Sequence, residues 1–314
     1  MRDDRAGTWR VHAALVAVQC IFATLPIATK LVLPSVEPLA IATLRITGAA
    51  LAFASLKWLL GNRERVTDRR DLVRLVSLAF VGATFNQVLF LVGVSRTTAI
   101  HANILITTIP IFTLGVALLL RRERASPAKV GGIVLAGAGA VFLIAVRGGR
   151  AEGATMLGDA LIAINTFFYA CYLVLSKDLL RRYQPVTVVT YVFLFGALLV
   201  LPIGVPALLR TDAAALTPRT VLILAYIVVF PSFLAYLLSI WALHRTASSL
   251  VAMYVYVQPL VTAYLAPLVL GERVTSRAGL AAVLIFAGLA LATWGEQVTG
   301  RPLGEAFRPP AEGA

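Results

Sequence analysis

The sequence predicts an all-α integral membrane protein with ten transmembrane helices. Hydrophobic residues make up 59% of the 314 residues and charged residues only 14%, whereas a soluble domain contains roughly 45–50% apolar residues. The apolar residues form blocks of about 20, the length that a helix needs to cross a hydrocarbon core about 30 Å thick. Runs such as 130–146 and 279–294 show no period of two, which excludes the alternating strands of a membrane barrel.

Short polar connections separate the ten blocks. The longest of these is residues 61–71, so no soluble domain is predicted between helices. The first block is too long for a signal peptide and lacks a small-residue cleavage pattern, so it is predicted to be a retained span. The predicted transmembrane helices are 11–33, 38–60, 72–94, 98–120, 127–146, 156–176, 186–208, 220–242, 247–270 and 277–295.

The placement of Lys and Arg predicts the orientation of the chain. With the N-terminus in the cytoplasm, the cytoplasmic segments contain 19 Lys and Arg and the opposite loops contain eight. The positive-inside rule therefore predicts that both termini are cytoplasmic. Topology explains most of the net charge of +13, so no nucleic-acid partner is predicted. Cys20 and Cys171 lie in apolar blocks without metal-ligand spacing, so no metal or cofactor is predicted.

The sequence contains an internal repeat with a nearly constant spacing. A shift of 149 residues superimposes, without a gap, Arg96 on Arg245, Thr97 on Thr246, Pro110 on Pro259, Thr113 on Thr262, Glu123 on Glu272 and Gly139 on Gly288. Upstream, a shift of 147 places Lys30 on Lys177 and Pro38 on Pro185. We therefore predict a five-helix repeat at 11–146, a linker at 147–155, a second five-helix repeat at 156–296 and a polar cytoplasmic tail at 297–314.

An odd number of helices per repeat determines the relative orientation of the two copies. Because each copy contains five helices, the second must begin on the opposite side of the membrane. Inverted repeats are typical of secondary transporters, in which a pseudo-two-fold axis in the membrane plane relates two nearly equivalent conformations around a midplane site. The repeat therefore predicts transport by alternating access, and a duplication kept only for packing is the alternative.

These features resemble the EamA-type transporters of the drug/metabolite transporter superfamily. The resemblance covers about residues 11–296 and rests on the paired repeats, on Pro110 and Pro259 inside the fourth helices, and on Glu123 and Glu272 at their ends. It implies a basket of ten helices around a central cavity. The first, third and fourth helices of each half are implied to line that cavity, with the fifth helices at the periphery. The motifs do not identify the cargo.

Polar side chains inside the predicted spans are candidates for substrate contact, because they are costly in a membrane unless they face protein or water. His101, Leu105 and Thr108 share one face of the fourth helix. A mixture of aromatic rings, amides and hydroxyls suits a small amphipathic or aromatic solute. The predicted substrate-contacting residues are Gln19, Asn86, Gln87, His101, Asn103, Thr108, Tyr169, Tyr172, Tyr236, Ser239, Tyr254 and Gln258.

Two prolines and two glutamates of the fourth helices are predicted hinge or gating residues. Pro110 and Pro259 each remove a backbone hydrogen bond and kink the helix, so they are predicted hinges, with simple shape-matching in the bundle as the alternative. Glu123 and Glu272 stand beside arginines at the helix ends. Structural or gating salt bridges are therefore predicted for them.

Charged residues inside the spans are scarce. Arg45 is the basic residue well inside a span, and we predict that it pairs with a helix C-terminus or with Glu37 in a structural role. No arginine or lysine belongs to the predicted cavity set. No Asp or Glu lies deep in any span, which argues against a carboxylate-based proton antiport. His101 is then the titratable side chain predicted near the cavity, and efflux or exchange down a gradient is equally open.

The sequence as a whole predicts a secondary transporter of the cell inner membrane, without enzymatic activity, that exports a small metabolite such as an amino acid. Its predicted partners are the small-molecule substrate and the lipid bilayer, and homodimer formation stays open. The alternatives are a membrane-embedded lipid-handling protein, a sugar-phosphate or nucleotide-sugar exchanger, and an interaction or sensory subunit. An embedded enzyme requires a clustered nucleophile, metal set or acid pair at membrane depth, and the sequence offers no such cluster.

Overall fold

The computed structural model describes residues 2–122, 126–145, 153–212, 214, 216–246 and 248–298, and within these residues the regular secondary structure is entirely helical. The helices are α1 (Arg2–Val32), α2 (Pro38–Leu59), α3 (Arg69–Val94), α4 (Ala99–Leu119), α5 (Pro127–Ala145), α6 (Met156–Leu180), α7 (Pro185–Arg210), α8 (Pro218–Arg245), α9 (Leu250–Leu270) and α10 (Ser276–Val298). Among the described residues, nine helices, α1 to α9, are long and apolar enough to cross a membrane. The apolar part of α10, Ser276–Leu291, is shorter.

Local sequence signals explain where many of these helices begin and end. Proline, whose missing N–H is not needed in the first turn, stands at the start of α2, α5, α7 and α8. Threonine hydroxyls accept hydrogen bonds from first-turn N–H groups, as N-caps do, at Thr98, Thr155 and Thr217. Gly271 ends α9 in the left-handed conformation, with φ of 67°, which favours a glycine.

Side-chain contacts between helices define two ends of the bundle, which we call the near end, where α1 begins, and the far end, where α1 finishes. His12 of α1 contacts Tyr254 early in α9, so these helices run in the same direction. Asn103, early in α4, contacts Thr262, late in α9. The repeat-equivalent helices α4 and α9 therefore run in opposite directions, as inverted repeats require.

The fifth helices of the two repeats, α5 and α10, pack against each other. A Cβ atom added to Gly288 would lie 2.5 Å from the Ala136 backbone nitrogen, and one added to Gly139 would lie 3.1 Å from the Ala281 carbonyl oxygen. Small residues permit this close backbone approach between membrane helices. The two glycines are equivalent in the repeat, so the same position closes the contact from both sides.

Irregular backbone occurs at matching places in the two halves. Ala79–Thr84 of α3 and Val228–Leu234 of α8 are π-helical, and their first residues are related by the shift of 149. The α-helical pattern of α4 is interrupted at Thr107 and Thr108, and α9 contains the 3-10 turn Tyr254–Tyr256. Short π segments inside helices are frequent at functional sites, and here they flank the cavity described next.

Candidate functional site

A cavity of about 610 Å³, counting the space continuous with solvent, lies inside the bundle. It is lined by α1, α3, α4, α6, α8 and α9, as the family resemblance implied, and by one residue of α2. The lining residues are Gln19, Phe22, Leu25, Arg45, Asn86, Gln87, Phe90, Ile106, Ile109, Asn165, Tyr169, Tyr236, Val251, Val255 and Gln258.

Eight of the lining residues form four repeat-equivalent pairs. The shift of 147 relates Phe22 to Tyr169, and the shift of 149 relates three further pairs: Gln87 and Tyr236, Ile106 and Val255, and Ile109 and Gln258. Both halves thus present the same positions to the cavity, although the side chains differ. The cavity therefore lies where the pseudo-two-fold axis of the repeat passes through the bundle.

Amide groups tie opposite walls of the cavity together. The Gln258 side-chain nitrogen donates to the Gln19 side-chain oxygen at 2.6 Å, which joins α9 to α1. Asn86 and Asn165 each donate to the backbone carbonyl of the other, at 3.0 and 2.7 Å. The Gln87 amide lies beside the Tyr236 hydroxyl, yet neither of its polar atoms makes a hydrogen bond to a described protein group. Gln87 therefore lines the cavity with a buried amide that lies against Tyr236.

Aromatic rings form an apolar wall beside these amides. The rings of Phe22 and Tyr236 meet edge to face with centroids 5.9 Å apart, and Tyr169 meets Tyr236 at 6.5 Å. The Tyr236 hydroxyl donates to the Gly82 carbonyl, in the π-helical segment of α3, at 3.3 Å. Gln19, Asn86, Gln87, Tyr169, Tyr236 and Gln258 were all predicted from sequence to contact substrate, and the cavity brings them together.

The other six predicted residues lie outside the lining. The hydroxyl of Thr108 is within hydrogen-bonding distance of Thr166, at 3.1 Å, and that of Tyr254 contacts His12. Tyr172 packs behind the aromatic wall, with its ring 6.0 Å from that of Tyr169. Ser239 lies beside Tyr169. Their neighbours are protein groups of adjacent helices, so these four residues are placed to support the walls.

His101 and Asn103 also lie outside the lining, and both are fully buried at the far end. The His101 Nδ1 atom lies 3.3 Å from both carboxylate oxygens of Asp159, which is buried in the first turn of α6. Thr97 donates to the same carboxylate. Sequence inspection gave Asp159 no role, because it lies so early in its helix. The contact between these two buried side chains joins α4 to α6.

The predicted environment of Arg45 is wrong. Glu37 pairs instead with Arg210 at the far end, at 2.8 Å, and this hydrogen-bonded contact lowers the pKa of the Glu37 carboxyl. Arg45 is 2% exposed and lines the cavity, which also corrects the expectation that no arginine belongs to the cavity set. The reason is geometric, because Glu37 precedes α2 whereas Arg45 lies two turns inside it, on the face towards α8.

At the far end, hydrogen bonds connect α4 to α1 and α9. The Asn103 amide donates to the Ala23 carbonyl at 3.3 Å and to the Thr262 hydroxyl, which itself donates to the Ala23 carbonyl at 3.1 Å. Glu272, a predicted gating residue, accepts from the Ala99 and Ile100 N–H groups at 2.8 and 3.0 Å. A carboxylate at a helix N-terminus is favoured by the helix dipole, so Glu272 fixes the start of α4.

The remaining predicted hinge and gating residues lie near the helix interruptions or outside the described chain. Pro110 and Pro259 follow the interruptions of α4 and α9 within three residues, so each breaks the hydrogen-bond ladder there. Glu123 lies outside the described residues.

At the near end the Lys177 ammonium donates to the Leu243 and Thr246 carbonyls at the end of α8.

The sequence model of the EamA-like transporter family matches residues 9–145 and 156–294, nearly the whole chain. The chain belongs to the EamA-like transporter family. The two matches coincide closely with the two repeats seen in the sequence. Membership confirms the resemblance inferred from the paired prolines and glutamates, and it makes this EamA-like protein a multi-pass membrane transporter of a small-molecule substrate.

Curated relatives extend this result. An uncharacterized transporter of Archaeoglobus fulgidus is 31% identical over 291 residues, covering 90% of this chain and 97% of its own. A probable terminal-alkyne amino-acid exporter of Streptantibioticus cattleyicolor is 30% identical over 231 residues, covering 73% and 74%. The protein WALLS ARE THIN 1 of Arabidopsis thaliana is 25% identical over 338 residues, covering 94% and 86%. Two of these matches cover 86% or more of both chains, so the sequence similarity extends over nearly the whole bundle.

A solved crystal structure shares the fold. It superimposes with a TM-score of 0.65 at 19% identity, covering 93% of this chain and 99% of that one. At this identity the similarity shows the arrangement of helices alone.

Proposed function

We propose that this EamA-like transporter exports a small amphipathic metabolite, an amino acid or a similar solute, across the cell inner membrane by alternating access. The observation that carries the proposal is the central cavity, whose lining pairs repeat-equivalent residues of both halves. An inverted repeat around one site permits two related conformations, each open to one side. The solute is carried without chemical change, because the protein supplies a cavity and its two barriers.

The character of the lining supports an amphipathic solute. Phe22, Tyr169 and Tyr236 offer an aromatic surface, whereas Gln87 and Gln258 offer amide groups with unpaired atoms. Such a combination orients a molecule that has one apolar and one polar part. The relative from Streptantibioticus cattleyicolor is named as a probable amino-acid exporter, and an amino acid has this shape.

The predicted orientation supports loading of the cavity from the cytoplasm. If the excess of Lys and Arg places the near end in the cytoplasm, the far-end hydrogen bonds of Asn103 and Glu272 close the cavity towards the outside. Export then begins with loading from the near end. The far-end bonds break in the alternate conformation, and the interruptions before Pro110 and Pro259 are the places where α4 and α9 can bend.

The decisive experiment measures flux in proteoliposomes that contain the full-length protein. Labelled amino acids are loaded inside or outside, with a sugar phosphate and a nucleotide sugar as additional arms, and efflux and counterflow are recorded. We expect counterflow of at least one amino acid. Flux of only the phosphorylated solutes would favour the exchanger alternative, and absence of flux for every solute with correctly inserted protein would contradict transport of this class.

A matched pair of variants links that flux to the cavity. Val255→Trp fills the cavity from α9, and we expect it to abolish flux. Leu260→Trp places the same ring on the same helix but on a surface that is 72% exposed, so flux is expected to persist. Equal activity of both variants would show that the solute takes another route.

A further inference from the structure

Arg45 is placed as a charged group with unused hydrogen-bonding capacity inside the cavity. It lies two turns into α2, and its side chain is almost completely buried. Its Nε atom donates to the Ser232 hydroxyl at 2.9 Å, but its Nη1 atom has no hydrogen-bond partner among the described residues. Its guanidinium carbon lies 5.9 Å from the centroid of the Phe90 ring, another lining residue. One edge of the guanidinium is therefore held by Ser232, and the Nη1 edge has no hydrogen-bond partner among the described residues.

The anchor of Arg45 is created by the π-helical segment of α8. Pro231 lacks the N–H that would bond to the Ile227 carbonyl, and the Ser232 hydroxyl donates to that carbonyl at 2.8 Å. The same hydroxyl then accepts from Arg45. Because Ser232 is held by its own helix, it fixes the Nε edge of a residue that lines the cavity, while Nη1 stays without a partner among the described residues.

The charge of Arg45 has no counter-ion in the described protein. None of the ion pairs found among the described residues includes Arg45, and the cavity lining contains no Asp or Glu. A guanidinium keeps its charge in proteins, and a buried charge without a partner is strongly unfavourable. Charged residues within membrane spans usually mark a substrate or ion path. The missing negative charge is thus expected from a ligand.

We propose that Arg45 binds the carboxylate of the transported solute, so that the substrates are monocarboxylates with an apolar body, amino acids among them. This assignment rests on the proposed transport function and specifies its substrate class. The planar guanidinium matches a carboxylate better than an ammonium does. One fixed positive charge also balances one carboxylate, whereas a phosphate dianion needs more than one.

The other end of an amino acid has partners in the same cavity. The side-chain oxygens of Gln87 and Gln258 make no hydrogen bond to described protein groups, so both can accept from a substrate ammonium. The aromatic wall of Phe22, Tyr169 and Tyr236 faces the same space and suits an apolar side chain. The cavity accommodates a carboxylate with or without an ammonium group, and the two cases differ only at the glutamines.

Four probes with one shared body separate these contributions. L-phenylalanine carries both charged groups, 3-phenylpropionate only the carboxylate, and L-phenylalaninamide and 2-phenylethylamine only the ammonium. Binding to the purified full-length protein is measured by calorimetry. We expect both carboxylates to bind at least about tenfold more tightly than the two amines. Equal affinity for all four probes, or no binding of either carboxylate, overturns the assignment.

Variants of Arg45 test the named contact. Arg45→Gln is expected to weaken carboxylate binding about 30- to 100-fold, as lost charge-assisted bonds predict, while amine binding changes less than about threefold. Arg45→Lys keeps the charge but loses the planar fork, and an intermediate loss is expected. Arg210→Gln, which removes an exposed arginine at the far end, is the matched control and leaves binding unchanged.

The ligand-free proteins provide a readout that a purely structural role would not share. If Arg45 is an unpaired charge awaiting a ligand, Arg45→Gln leaves the melting temperature unchanged or raises it. A marked fall, together with unchanged carboxylate preference in Arg45→Lys, would assign Arg45 to the scaffold. Counterflow distinguishes failure of this assignment from failure of the proposed transport function. Transport of solutes without a preference for carboxylates would contradict the role of Arg45 and leave the transport function in place.

Discussion

The far and near ends of the cavity are bounded by repeat-equivalent positions of α4 and α9 that carry different side chains. At the far end, Asn103 and Thr262 bond to each other and to the Ala23 carbonyl. The equivalent near-end residues are Ala252, Thr113 and Ala170. Ala252 has no polar side-chain atom, and the buried Thr113 hydroxyl has no partner among the described residues. At these equivalent positions, hydrogen bonds therefore join α4 to α9 at the far end but, among the described residues, not at the near end.

This difference indicates that the two barriers of an inverted repeat can differ in strength. A typical hydrogen bond contributes about 0.5–1.5 kcal/mol, so the three far-end bonds together favour closure by roughly 1.5–4.5 kcal/mol if they add. Among the described residues, no hydrogen bond joins α4 to α9 at the near end. We therefore expect the near end to open more readily in the resting protein, which suits loading from that side.

A single cysteine in the cavity can report which end is open. The native Cys20 and Cys171 are replaced by Ser, and Val255→Cys places a thiol on the lining. A membrane-impermeant thiol reagent is then applied to the near or the far side of oriented vesicles. The labelling rate from each side measures the population open to that side, and the next three predictions are changes in these two rates.

Removal of the Glu272 carboxylate is expected to have the largest effect. Glu272→Ala deletes two charge-assisted contacts to the start of α4, a loss of about 2 kcal/mol or more. Labelling from the far side should rise about 30-fold. Arg273→Ala, at the exposed neighbouring position, should leave the rate unchanged. A Glu272→Ala protein labelled like the parent would show that the cap does not hold the far end.

Loss of the Asn103 amide should have a smaller effect in the same direction. Asn103→Ala removes the donor that joins α4 to α1 and α9, and far-side labelling is expected to rise about tenfold, equivalent to about 1.4 kcal/mol. The reciprocal variant Ala252→Asn places an amide at the equivalent near-end position. Near-side labelling should then fall, and a rise instead would mean that the unpaired Thr113 hydroxyl is not in reach.

Loosening the near end should have the opposite sign. Tyr254→Phe removes the hydroxyl that contacts His12, the described polar link between α1 and α9 at that end, and near-side labelling is expected to rise about threefold. Tyr256→Phe removes a buried hydroxyl that has no partner among the described residues. It should leave both rates as they are, and an equal response of the two variants would argue against the His12 link.

The smallest effects are expected from one substitution made at both ends. Thr262→Val breaks the bond to the Ala23 carbonyl and should reduce stability to heating in detergent by about 1 kcal/mol. Thr113→Val replaces a hydroxyl without a partner, so we expect a change within about 0.5 kcal/mol or a slight gain. Equal losses at the two positions would mean that the ends are closed in the same way.

Much of the fold could be predicted from sequence, because span length and apolar composition are set by the thickness of the bilayer. The nine long helices coincide with predicted blocks, and the family resemblance followed from Pro110, Pro259 and Glu272. The π-helical segments could not be predicted. Pro231 gives a signal in α8, but Ala79–Thr84 contains no proline and gives no such signal.

The candidate site was only partly predictable. Polarity at membrane depth selects Gln87 and Tyr236, which line the cavity, yet the same criterion also selects His101 and Asn103, which bond to neighbouring helices. Hydropathy cannot distinguish a polar group that faces a cavity from one that is paired across a helix contact. The sequence predicts that Arg45 pairs with a helix C-terminus or with Glu37 in a structural role, but Glu37 pairs with Arg210 at a different depth.

The unpaired guanidinium of Arg45 has an electrical consequence. When access alternates around a fixed site, a charge at that site moves relative to the membrane field, and a full elementary charge crossing 100 mV corresponds to about 2.3 kcal/mol. Empty protein carries the charge of Arg45, whereas a bound monocarboxylate without an ammonium group neutralises it. For such a solute, membrane voltage should thus act on the return of the empty protein and spare the loaded step. Its counterflow, in which the protein reorients only when loaded, should be insensitive to an imposed potential, whereas its net efflux should respond to it.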